Sequence, residues 1–73
     1  MSTSPAISGK LLIKTLEGFG FSVVRSKGSH FFLKHKDGRC TTVPVHSGES
    51  IGIGLLSKIL RDCELKKEDI FNS

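Results

Sequence analysis

Two tight turns leave the middle of this chain little conformational choice. Asp37-Gly38, preceded by Lys36, readily takes the positive φ values that a short hairpin connection demands. Lys27-Gly28-Ser29 forms a second turn ten residues earlier. Around them lie FSVVRSK (21–27), HFFLKH (30–35) and RCTTVP (39–44), all short and rich in β-branched or aromatic residues. Three such runs joined so closely predict an antiparallel three-stranded sheet. Pro44 lacks an amide hydrogen and marks the end of the third strand or a sheet edge.

Helical periodicity flanks this β region. Leu12, Leu16 and Phe19, with Ile13 on the shoulder, form one apolar stripe, and Ser8 can cap the helix by accepting a freed backbone N–H. Gly18 weakens the last turn and Gly20 suits a left-handed terminator, so the first helix is expected over 8–18. VHSGESIGIG (45–54) reads as a glycine-punctuated loop, with Ile51 and Ile53 as core anchors. Leu56, Ile59, Leu60 and Cys63 follow at i, i+3, i+4, i+7 and place a second helix near 55–63, with Cys63 as a small core residue. Glu68-Asp69-Ile70-Phe71 forms a last short turn whose two apolar residues close the core. Residues 1–7 are expected as a flexible leader, and 8–73 as a single domain. The order is α-β-β-β-α, an α+β fold with a three-stranded antiparallel sheet and two helices packed on one face.

At 73 residues there is no room for a second domain. A globule this small buries only about 60% of the surface its unfolded chain exposes, so its core is thin and an enclosed cofactor cavity has little space. A Rossmann, barrel or protein-kinase fold is excluded by size. The net charge of +4 is unevenly placed: residues 1–38 carry six basic and two acidic side chains, whereas 39–73 carry five of each. A small domain with its positive charge in one half attracts polyanions. The start MSTSPAISGK lacks the apolar run of a signal peptide, and no stretch approaches a membrane span. Two cysteines are too few for a disulfide scaffold, so the chain is expected to be cytoplasmic with reduced thiols and no membrane association.

The candidate chemistry is limited. His30, His35, His46, Cys40 and Cys63 show none of the pairing of a structural zinc site, so no metal is expected. Cys40 is expected as a buried or half-buried structural residue, although His30 or His35 could oppose it across the hairpin. Gly48, Gly52 and Gly54 lack the lysine of a phosphate-binding Walker loop. The most informative stretch is Arg25-Ser26-Lys27-Gly28-Ser29-His30, with Lys34 and Lys36 close behind. His30 and Lys34 share a strand face at i, i+4, which pairs a titratable imidazole with a cation able to grip phosphate. His46 is a loop residue placed to tie the loop to the sheet or to approach a substrate. His35 is expected to be structural.

The sequence resembles the HicA toxins of bacterial and archaeal toxin–antitoxin operons, also called YcfA-like proteins. SGKLLIKTLEGFGF is similar to the family's opening helix, VVRSKGSHFFLKHKDGR to its central hairpin, and TTVPVHSGESIGIGLLSKILRDCEL to its Val-Pro-x-His loop and closing helix. The resemblance implies a fold like a double-stranded-RNA-binding domain and a ribosome-independent mRNA endoribonuclease. It implies His30 as the catalytic residue and a HicB-like antitoxin as partner, with no small-molecule cofactor. Arg25, Lys27, Gly28, Ser29, Lys34, Lys36 and His46 are the expected phosphate- and RNA-binding residues. The chain departs from the family pattern at Phe31, at Lys36 and in the lysine-free loop Glu49-Ser50-Ile51-Gly52-Ile53, positions that bear on RNA preference or on the partner surface. The alternatives are a non-catalytic RNA-binding module and an inactive antitoxin-binding partner.

Overall fold

The computed structural model describes residues 6–71. Its elements are α1 (Gly9–Gly18), β1 (Phe21–Lys27), β2 (His30–His35), β3 (Cys40–Pro44), α2 (Ile53–Cys63) and α3 (Lys67–Phe71). The strands form one antiparallel sheet in the order β1-β2-β3, the expected α+β arrangement with the helices packed on the sheet. The short closing turn is a helix, α3, which buries Ile70.

Local chemistry sets the boundaries. Ser8 caps α1, its Oγ accepting from Leu11 N–H at 3.1 Å. Gly20, at φ +99°, turns the chain from α1 into β1. Gly9 is buried where α1 docks on the end of β3, and a Cβ there would overlap the Pro44 carbonyl oxygen. Leu12, Leu16, Phe21, Leu33, Val43, Leu56, Ile59 and Cys63 make the centre of the core.

Four expectations are corrected. Phe19 is 39% exposed because it sits past the last turn of α1 as its C-cap, and Phe21 fills the core instead. Ile51, not Ile53, anchors the β3–α2 loop: a Ser8–Ser50 bridge and the Ile51 N–H to Ile7 carbonyl bond at 2.8 Å fix that segment against the chain before α1. Ile53 then opens α2 from a position 66% exposed. Cys40 is exposed because it pairs with Lys34 on the uncovered sheet face. Of the expected leader, residues 1–5 lie outside the described residues, while Ile7 belongs to the core.

One irregularity decides where the charge goes. Val23 pairs with Leu33 and Arg25 with Phe32, so Val24 is an extra residue that shifts the register. Were the ladder regular through Val24, the two-residue period would put Arg25 and Lys27 on the face of Phe21 and Val23, the side of the sheet the helices cover. The bulge flips both cations onto the open face.

Candidate functional site

The open face carries Arg25 and Lys27 from β1, His30, Phe32 and Lys34 from β2, and Cys40, Thr42 and Pro44 from β3, as the cross-strand pairs dictate. No carboxylate stands among these strand residues. Lys27 is the direct partner of His30, and directly opposed side chains have Cβ atoms about 5 Å apart. Lys34 shares the face as expected, but lies about 13 Å further along β2 at the usual strand rise. Phe32 stands between them, and the Arg25 guanidinium lies 4.7 Å from the centroid of its ring. The cation nearest His30 in the ladder is therefore Lys27. The His30 imidazole is exposed and has no hydrogen-bond partner among the described residues.

Gly28, Ser29 and His46 occupy a different place. They line a cleft of about 590 Å³ at the β1–β2 turn, together with Lys10 of α1 and Phe31 of β2. The Ser29 carbonyl accepts from Val45 N–H at 2.7 Å, which brings the His46 loop to this turn. Gly28, at φ +58°, meets the turn's need for a left-handed residue. His30 does not line the cleft. Lys36 belongs to neither place: it lies at the opposite end of the hairpin, beside Ser22, Val24, Lys34 and His35. So the eight expected residues divide into an open face, a cleft at its end and one outlying lysine.

The far turn is a structural lock. His35 Nδ1 accepts from Asp37 N–H at 3.1 Å, and its ring meets Phe21 edge-on with centroids 5.1 Å apart. Asp37 accepts from the backbone N–H and from Nε of Arg39, and the backbone bond leads in holding its carboxyl below the usual range. Arg39 also donates to the Cys63 carbonyl at the end of α2 and stacks on Phe21. On α2, Lys58 donates to Asp62 and lowers its pKa, and Thr41 donates to the same oxygen, each at 3.0 Å. Arg39 and Gly9 carry no signal in a single sequence, because their partners are 24 and 35 residues away in the chain.

Among the described residues, no group of three or more His, Cys, Asp or Glu side chains could hold a metal ion, and no helix is long and apolar enough to cross a membrane. No curated protein matches the chain. A family model described as the HicA toxin of bacterial toxin–antitoxin systems matches residues 9–65, from the first turn of α1 to just beyond α2. That span holds the whole sheet, His30 and every residue lining the cleft except Ser8, and the chain belongs to the HicA toxin family.

Proposed function

We propose that this toxin is a ribosome-independent mRNA endoribonuclease that works with one catalytic histidine, His30, and is neutralised by a HicB-like antitoxin. The observation that carries the reading is the exposed, unpartnered imidazole opposite Lys27 on a sheet face whose strand residues include no carboxylate. An unpartnered imidazole is free to move a proton at the scissile phosphate. The structural histidine of this strand is His35, which accepts from the Asp37 N–H and packs on Phe21.

In the proposed step, the RNA 2′-oxygen attacks the adjacent phosphorus and the bond to the leaving 5′-oxygen breaks, giving a 2′,3′-cyclic phosphate and a 5′-hydroxyl. His30 takes the 2′-hydroxyl proton or delivers one to the leaving oxygen. One histidine fills one role at a time, and water or a second group fills the other. Lys27 stabilises charge on the transferring phosphate, with Arg25 and Lys34 holding the strand further along the face. The 2′-hydroxyl requirement selects RNA over DNA. No part of this route calls for a metal, so cleavage persists in EDTA.

Cleavage of a defined RNA by the wild type and by His30→Ala tests the proposal. Wild-type products ending in 2′,3′-cyclic or 3′-phosphate, with a folded but inactive variant, support it. Parent-rate cleavage by His30→Ala, or products ending in 3′-hydroxyl, refute it. Growth arrest relieved by co-expression of the neighbouring reading frame supports the antitoxin half of the reading, and arrest that persists beside a folded neighbour product contradicts it.

A further inference from the structure

The cleft at the β1–β2 turn has a composition distinct from the His30 face. The half-buried Phe31 and Val45 line it together with the exposed Lys10, His46 and Ser47 and the half-buried Ser29. Its volume, about 590 Å³, falls within the several hundred Å³ that small-molecule sites occupy. No carboxylate lines it, and Lys10 and His46 form no ion pair among the described residues.

We infer that this cleft is a nucleotide subsite: it holds one unstacked base of single-stranded RNA against Phe31, with the neighbouring phosphate on Lys10 and His46. The inference rests on the endoribonuclease reading for its ligand class, and it adds Lys10 and Phe31 to the residues that contact RNA.

The two phenylalanines of β2 favour this cleft over the open face for a base. The Phe32 ring is already covered by the Arg25 guanidinium. Phe31 is half-buried, packs against the core and lines the cleft with the rest of its surface. A ring fixed on one side and open on the other is the platform on which single-stranded bases stack. The lining supplies what a nucleotide needs besides a ring: cations for phosphate and hydroxyls for base edges or ribose. Chain geometry connects the two places. Ser29 and Phe31 flank His30 in sequence and sit about 7 Å apart along extended backbone. Phe31 alternates with His30 on β2 and Ser29 leads into His30 from the turn, so a strand crossing the turn passes from the histidine into the cleft within about one nucleotide.

The test uses the full chain carrying His30→Ala, which binds without cutting, and a fluorescein-labelled single-stranded oligoribonucleotide. Adding Lys10→Gln weakens binding about tenfold and lowers the slope of log K against log salt by about one, as loss of one phosphate contact requires. Adding Phe31→Leu, which keeps the apolar packing but removes the ring, weakens binding at least threefold and abolishes discrimination against an abasic oligonucleotide. Titrating the 15N-labelled parent with adenosine or uridine 3′-monophosphate shifts the amides of Gly28, Ser29, Ser47 and Gly48. Unchanged affinity and salt slope in Lys10→Gln, or amide shifts confined to residues 25, 27 and 34, overturn the subsite. If Phe31→Leu does not fold, Lys10→Gln and the amide map decide. Nucleotide binding in the cleft by a chain that cuts no RNA leaves the subsite standing and refutes the nuclease. Cutting with a silent Lys10→Gln does the reverse.

Discussion

His30 and His35 stand at opposite ends of β2 and share little beyond an imidazole. His35 is enclosed: it accepts the Asp37 amide, packs on Phe21, and comes so close to Gly20 that a Cβ there would lie 2.7 Å from Nε2. Its Nδ1 also lies 3.0 Å from an Asp37 carboxylate oxygen, so a proton at Nδ1 would exchange the accepted amide bond for a charge-assisted one. Among the described residues His30 has no hydrogen-bond partner, and it faces the cation across the ladder. Residue type alone therefore says little about role. A histidine whose Nδ1 and ring are engaged within the protein holds structure, and one with neither engaged is available to a substrate.

The sharpest way to break this comparison is to remove each ring in turn. His30→Ala is expected to lower the rate of RNA cleavage about 10²–10⁴-fold, the usual worth of a positioned acid or base, with the thermal unfolding midpoint unchanged. His35→Ala is expected to lower the midpoint while each folded molecule keeps its cleavage rate. Full folding with lost cleavage in the His35 variant would erase the distinction. The next largest effect belongs to the lock beside His35. Arg39→Ala removes charge-assisted bonds to Asp37 and to the Cys63 carbonyl, an expected loss of stability in urea unfolding carried mainly by the part-buried bond to Cys63. Arg39→Lys recovers little of it, because an ammonium cannot reproduce the guanidinium fork.

A pH series probes the same end of the molecule. Burial pushes the Cys63 thiol from 9.0 up to about 11, with the Asp62 charge adding to the rise. Between those values the native thiol keeps its proton while the unfolded chain releases it. Stability is complete below about pH 9 and falls as the pH rises toward 11. Cys63→Ala should flatten that alkaline limb in unfolding curves recorded from pH 8 to about pH 11. The smallest effect lies at the His30 end. Lys27→Gln is expected to weaken binding of an oligoribonucleotide several-fold and reduce the salt slope by about one, without moving the unfolding midpoint.

Much of the scaffold was legible because its signals are local. Turn chemistry at Gly28 and Asp37-Gly38, the Ser8 cap and the Leu56–Cys63 stripe each depend on neighbours within a few residues, and each element lies within two residues of its expected bounds. The misreadings arose where a distant contact decides. Phe19 fits the first helical stripe by spacing yet lies past the end of its helix, and Ile53, expected as a loop anchor, opens α2 after a loop tied down at Ser50 and Ile51. Cys40 was misplaced because strand register, not composition, sets its face. The candidate site was legible as a cluster in sequence, but its division between an open face and a cleft was not. Alternation separates Ser29 and Phe31 from His30, and the bulge at Val24 moves Arg25 and Lys27, neither of which can be read from spacing alone.

The same extra residue bears on how the chain behaves in company. Among the described residues β1 has no strand partner on its outer side, and Val24 on it is 59% exposed. An uninterrupted edge of this kind invites other chains to extend the sheet. Here the ladder is regular only over Phe21–Val23 and again over Arg25–Lys27, with the kink between them. Three residues are too few to seat a foreign strand, and the second stretch repels another copy of itself through its own cations. One extra valine therefore interrupts the β1 edge, a device by which native sheets discourage edge-to-edge pairing.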